Sequence, residues 1–241
     1  MKTSLLACSL LLALPAFAAA PHWEYSGAAG PDHWAKLTPE FSPCAGSNQS
    51  PVDLTGLVEA DLPPLVFHYR TGGESASNNG HTVQIGYAPG STLELDGMSF
   101  ELKQFHFHAP SENHIKGKSY PLEGHLVHAN GKGELAVVAV MFEVGKANPV
   151  LAEAWRQLPI KAGESHALKA PVAVEQLLPA KRDYYRFSGS LTTPPCSEGV
   201  RWLVLKQPVE ASQAQIDAFK EVMHHPNNRP VQPLNGRVVL Q

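Results

Sequence analysis

Residues 92–108 read TLELDGMSFELKQFHFH, and the fold class follows from them. Thr92 to Leu95 is a short strand-like run, and Asp96-Gly97 is the kind of dipeptide that supplies two positive-φ residues for a tight hairpin turn. Met98 to His108 then resumes as a second strand. Side chains on a strand alternate between faces, so Met98, Phe100, Leu102, Gln104, His106 and His108 are expected on one face. On the other, Glu101 and Lys103 give way to Phe105 and Phe107, which predicts a strand running from a half-exposed region into a doubly buried centre. Residues 134–144, ELAVVAVMFEV, are apolar on both faces and predict a central strand of the same sheet. Elsewhere short strand-like runs separated by Gly, Pro, Asn and Asp dominate, so the expected architecture is mainly β, with one large sheet.

Two helices interrupt this pattern. Asn148-Pro149 is a capping residue followed by proline at the first helical position, and the helix is expected to run through Leu151 and Trp155 to just before Pro159. Ser212 and Gln215 form a capping box, after which Ile216, Phe219 and Met223 supply an apolar stripe ending near Pro226.

His106 and His108 are two apart on a strand and therefore point to the same side, about 6.5–7 Å apart at the backbone, within reach of one tetrahedral ion. His125 lies in a second apolar segment, Leu122 to Val127, close enough in sequence for its strand to return beside the first. Three neutral imidazoles suit a catalytic zinc: they leave its charge uncompensated and a fourth position open to water. Gln104 and Glu123 each precede a candidate ligand by two residues on the same face, where each can accept from an imidazole N–H and fix its tautomer.

The chain has 241 residues, 43% hydrophobic and 17% charged, with a net charge of −3 and 21 prolines spread along it. Nothing divides it into two domains, and no basic patch suits a nucleic acid. Residues 1–20, MKTSLLACSLLLALPAFAAA, have the layout of a secretory signal peptide, with cleavage expected after Ala18 or alternatively after Ala20. A single catalytic domain would then occupy 19–241. Leu5-Leu6-Ala7-Cys8 could be read as a lipid-attachment box, but most of the apolar stretch follows Cys8 instead of preceding it, so no stable membrane anchor is expected. Two cysteines, Cys44 and Cys196, remain after the signal. One bridge between them is the simplest arithmetic in an oxidising compartment, and two buried free thiols are the alternative.

Gln104-Phe-His-Phe-His108, Glu123-Gly-His-Leu-Val-His128 and Ser190-Leu-Thr-Thr-Pro-Pro195 together resemble the signature segments of the α-carbonic anhydrases. The similarity extends over nearly the whole mature chain, from Trp23-Glu-Tyr25 and Gly30-Pro-Asp-His-Trp34, through Gln49-Ser-Pro-Val-Asp53 and Asn79-Gly-His81, to Asn227-Asn-Arg-Pro-Val-Gln-Pro233. The resemblance implies a large twisted, mostly antiparallel central sheet flanked by short helices. It implies one Zn(2+) per chain on His106, His108 and His125, with Gln104, Glu123 and Asn227 as outer partners, and reversible hydration of carbon dioxide to bicarbonate by zinc-hydroxide attack. Thr192 would accept a hydrogen bond from the hydroxide while donating to Glu112, forming a gate, and His81 would shuttle protons. Val127, Val137, Leu191, Thr192, Thr193, Val200 and Trp202 match the substrate wall, and Tyr25, Asn79 and Gln84 match residues that order cavity water. Gln84 is longer than the asparagine many members carry. Cys44 and Cys196 match a bridge of secreted bacterial members, and together with the short signal this match implies the Gram-negative periplasm as the expected location. Sulfonamides and anions are the expected inhibitors, and ester hydrolysis an expected side activity. The rival readings are a binding module without catalysis, usually betrayed by a lost zinc histidine, and a zinc hydrolase. The remaining histidines are expected to be structural or exposed, with His128 facing away from His125.

Overall fold

In the computed structural model, Thr92–Leu95 and Met98–His108 pair as the expected hairpin, with Asp96 and Gly97 at φ 53° and 70°. The structure describes residues 21–70 and 72–241, so the signal segment and Cys8 lie outside the described residues. The hairpin belongs to an 11-stranded sheet. Along its main path the strands run in the order Ser165–Val172, Gly73–Asn78, Val83–Tyr87, Met98–His108, Leu122–Ala129, Leu135–Val144, Glu198–Leu205 and Tyr184–Ser190. Pairing along this path is antiparallel except between Leu135–Val144 and Glu198–Leu205, which are parallel. The architecture is the mainly β, large-sheet class expected, with short helices around it.

The alternation predicted for Met98–His108 is corrected by a β-bulge. Leu102 pairs with His128 and Gln104 with Val127, so exposed Lys103 has no partner on the Leu122–Ala129 strand. One extra residue reverses the face of everything that follows it. Phe100 and Leu102 therefore share a core with Phe105 and Phe107, and only Gln104, His106 and His108 turn to the opposite side. Without the bulge, the apolar first half of this strand and its three polar cavity residues would compete for one face.

The sheet separates two cores. One face carries the large cluster that includes Phe105, Phe107, Val138, Val140 and Phe142. The other carries Val137, Ala139, Met141, Val200 and Trp202 beside the cavity. The Leu135–Val144 strand contributes alternate residues to each, which is why it reads as apolar on both faces.

Both helices form where their caps place them. The first is Pro149–Ala154, with Asn148 Oδ1 accepting from the amides of Val150 and Leu151, and it tightens into a 3-10 turn at Trp155–Gln157. The second is Gln213–Met223, with the Ser212–Gln215 capping box present and Ile216, Phe219 and Met223 buried. Gln215 also joins the two helix starts, its Oε1 accepting from the Asn148 amide at 2.8 Å and its Nε2 donating to the Asn148 carbonyl at 2.7 Å. No helix among the described residues is long and apolar enough to cross a membrane. Cys44 and Cys196 are disulfide-bonded across 152 residues, which settles the pairing that the sequence left open.

His128 faces away from His125, as expected, but it is fully buried. Its Nδ1–H donates to the Ala136 carbonyl at 3.2 Å, which leaves Nε2 to accept from the Tyr69 hydroxyl at 2.6 Å. Burial holds this imidazole neutral, lowering its pKa to about 4. The unfolded chain takes up a proton at this residue below about pH 6.5 and the folded chain does not. Its stabilising contribution is therefore complete above that pH and is lost as pH falls towards 4, by about 3 kcal/mol in all. Urea unfolding from pH 7.5 to pH 4 is expected to show a steeper loss of stability in the parent protein than in His128→Gln. Parallel curves would remove His128 as the cause.

Candidate metal centre

The Lys103 bulge and the antiparallel register bring three histidines together. His106 and His125 are direct cross-strand partners, and His108 follows two residues along on the same face. One ring nitrogen from each lies within 4.8 Å of the others, and this is the one such group of three or more metal-binding side chains among the described residues.

The opposite ring nitrogens are all occupied. His106 Nδ1–H donates to Gln104 Oε1 at 2.8 Å, and His125 Nε2–H to Glu123 Oε1 at 2.9 Å, as the two-residue spacing predicts. His108 Nδ1–H donates to the main-chain carbonyl of Asn227 at 2.7 Å, so the third outer partner acts through its backbone. The Asn227 side chain instead accepts from the Ala109 amide at 2.8 Å and donates to the carbonyls of His81 and Phe107. These acceptors leave His106 Nε2, His108 Nε2 and His125 Nδ1 as lone-pair donors aimed at one point. His108 Nε2 is buried and has no hydrogen-bond partner among the described residues, which a cation at that point would resolve. Burial pulls all three imidazoles below their ordinary pKa, and His108 adds to the effect on the other two, so the donors stay neutral. Three neutral nitrogens with no fourth protein donor among the described residues fit an open catalytic metal site.

Two buried carboxylates lie behind the histidines. Glu123 accepts from the Glu112 amide at 2.7 Å, the Asn113 amide at 2.8 Å, the Asn113 side chain at 2.7 Å, and His125. Glu112 Oε1 accepts from the Arg229 amide at 2.9 Å, while Oε2 lies 3.4 Å from His108 Nε2 and 3.9 Å from His125 Nδ1. Burial pushes the Glu112 carboxyl up; the Arg229 amide, the nearby Thr192 hydroxyl and the Arg229 charge pull it back towards the ionised form. Glu112 Oε2 is buried and, like His108 Nε2, has no hydrogen-bond partner among the described residues.

In front of the histidines is a cavity of about 160 Å³. The expected residues Tyr25, Asn79, His81 and Gln84 line it, as do Val127, Val137, Leu191, Thr192, Thr193 and Trp202. Val200 does not reach the cavity and packs behind it in the cluster with Val137 and Trp202. Trp23 was not expected there. Its ring stacks on His81 with centroids 3.6 Å apart and planes 11° apart, and it also lines the cavity. Trp23 lies before the first helical turn, in a segment without periodicity, and although it opens the stretch that resembles the family, the resemblance gave it no role in the cavity. His81 is half-buried; burial and the charges of His22 and His225 hold its pKa below the usual value, against a smaller opposing effect of Glu24.

Residues 29–241 match the family model described as eukaryotic-type carbonic anhydrase. The chain is 54% identical over 220 residues to a carbonic anhydrase of Pectobacterium carotovorum, covering 91% of this chain and 90% of the relative. It is 48% identical over 246 residues to one of Klebsiella pneumoniae, covering all of both. The solved complex of α-carbonic anhydrase from Thermovibrio ammonificans with the inhibitor sulfanilamide superposes with a TM-score of 0.91 at 50% identity, over 92% of this chain and 100% of that one.

Glu123 needs both oxygens to be acceptors, because two main-chain amides face Oε2. Glu123→Gln turns an NH₂ group either onto those amides or onto His125. The expected outcome is about 10- to 100-fold weaker metal binding in a chelator competition. Unchanged affinity would show that His125 does not depend on this acceptor.

Proposed function

The chain belongs to the α-carbonic anhydrase family, lyases that interconvert carbon dioxide and bicarbonate, and on that premise we propose that it does so with one zinc ion held by His106, His108 and His125. The observation that carries this reading is the convergence of three neutral, individually oriented imidazoles on one point at the floor of a cavity, with one wall apolar and the other polar. Zinc, when bound, supplies the Lewis acidity that makes water a usable nucleophile near neutral pH.

The chain's own groups supply orientation, exclusion of water and proton movement. Glu112, when ionised, can only accept, so the Thr192 hydroxyl donates its proton to it and offers lone pairs alone to the cavity. A nucleophile there must donate to Thr192 Oγ, which leaves its own lone pair free to face the substrate carbon. Val127, Val137, Leu191 and Trp202 form the apolar wall, where a small uncharged gas is accommodated and water gains no hydrogen bonds. Tyr25, Asn79 and Gln84 line the polar side and order water between the floor of the cavity and His81.

His81 takes the proton outward. Its lowered pKa favours release once the imidazolium faces solvent, and the stack on Trp23 gives the ring a defined position at the cavity mouth. The same nucleophile would hydrolyse activated esters as a side reaction. Residues 1–18 acting as a signal peptide, with residues 19–241 as the mature domain, would deliver the enzyme to the periplasm; the Cys44–Cys196 bridge supports an oxidising destination.

Purified protein is expected to contain about one zinc per chain and to hydrate carbon dioxide in a reaction blocked by a sulfonamide. Zinc-replete protein without hydration activity would overturn the reading. His81→Ala is expected to keep its zinc and its kcat/KM but to lose kcat at low buffer by about tenfold or more, with imidazole buffers restoring turnover. Equal turnover at low buffer would move the shuttle to another residue.

A further inference from the structure

We infer that Arg229 is a positioning residue that holds Glu112 and the loop carrying Thr192 in one rigid frame; this rests on the proposed roles of Glu112 and Thr192. Arg229 is only 2% exposed, yet among the described residues it makes no salt bridge. Its guanidinium is held by neutral carbonyl oxygens: Nη1 donates to Gln49 Oε1 at 2.8 Å and to the Ser50 carbonyl at 2.9 Å, and Nη2 to the Cys44 carbonyl at 3.0 Å. The group lies over the Trp34 ring, 5.3 Å from its centroid. Burial lowers its pKa to about 10, so it remains a cation at neutral pH. A buried cation met only by uncharged oxygens, with its Nε–H left without a partner among the described residues, is costly, and an apolar side chain of similar volume would often stabilise a core equally well.

What such a side chain could not do is follow from the partners. The Arg229 amide donates to Glu112 Oε1, so the same residue touches the gate through its backbone. The two residues gripped by Nη1 hold the other half of the gate. Gln49 Nε2 donates to the Cys196 carbonyl at 3.1 Å. Ser50 and Ser190 exchange two hydrogen bonds, from the Ser50 amide to Ser190 Oγ at 2.9 Å and from the Ser190 amide to Ser50 Oγ at 3.1 Å. Ser190 and Cys196 bracket Thr192. The third acceptor, Cys44, is covalently joined to Cys196. One planar fork of donors therefore fixes the Cys44–Ser50 segment, that segment fixes both ends of the Thr192 loop, and the Arg229 amide fixes the carboxylate that Thr192 must meet. The compact ammonium of lysine cannot reproduce the fork.

The gate acts on the hydration step, and proton export runs through His81 on a different wall, so the two kinetic parameters separate the roles. Zinc-loaded Arg229→Lys, measured per mole of bound zinc, is expected to lose about tenfold or more in kcat/KM, with kcat at low buffer within about twofold of the parent. Gln49→Met, which removes the bridge to Cys196 and keeps the guanidinium, is expected to move kcat/KM in the same direction and decides the matter if Arg229→Lys does not fold. Thr192→Ala runs beside them. If it leaves kcat/KM unchanged, the gate itself is wrong. If it lowers kcat/KM while Arg229→Lys and Gln49→Met do not, or while they lower kcat and kcat/KM by one common factor, the positioning role of Arg229 is overturned.

Discussion

The carboxylate of Glu123 is the contact on which the rest of the site depends. It is fully buried and receives four hydrogen bonds, one from a proposed metal ligand and the others from Asn113 and the Glu112 main chain. A buried carboxylate with fewer donors would be expensive, and one without the His125 contact would leave that ring's tautomer undetermined. Because Glu123 also accepts from the Glu112 amide, it fixes the acidic half of the proposed gate relative to the three histidines. Asn113 extends the arrangement by accepting from the Val52 amide through its own Oδ1 at 3.1 Å, which ties the carboxylates to the loop below them.

That network has a function only because the sheet delivers the histidines to it, and the bulge at Lys103 is what permits this. The Met98–His108 strand must bury aromatic rings in the larger core along its full length and also present polar side chains to a cavity at one end. Strict alternation cannot satisfy both, since Phe100 and Leu102 would fall on the histidine face. An extra residue changes the phase at the point where the two demands meet. Lys103 can occupy that position because it is exposed, so neither core loses a side chain to it.

Features of the sequence set by local chemistry were legible. Asp96-Gly97 announced a turn, Asn148-Pro149 and the Ser212–Gln215 box announced helix starts, and the i, i+2 spacing of Gln104, His106 and of Glu123, His125 announced oriented imidazoles. Features that depend on distant chain were not. The bulge leaves no mark in residue types, because a lysine is as natural on an unbroken strand as on a bulged one. The third outer acceptor is a main-chain carbonyl, which any residue at position 227 possesses. Trp23 and Arg229 acquire their roles from partners far along the chain, His81 for one and Gln49, Ser50 and Cys44 for the other. Only the resemblance points to Glu112 and Thr192 as a pair, because neither residue carries a local signal of its own.

The charges around the centre also explain why two acids can be buried side by side. Glu112 and Glu123 are both raised by burial, each by loss of solvent first and in part by the other's charge for Glu112. Three neutral imidazoles offer no compensating charge, and hydrogen bonds from amides offset only part of the cost. The Arg229 charge offsets part of the remainder at Glu112, and a divalent cation, if held by the three histidines as proposed, would offset more. With both charges present, Glu112 would favour the ionised form, which can only accept a hydrogen bond. The arrangement makes the orientation of Thr192 a consequence of charge balance across the site, so an uncharged substitute at either cationic position would weaken the gate even if every side chain stayed in place.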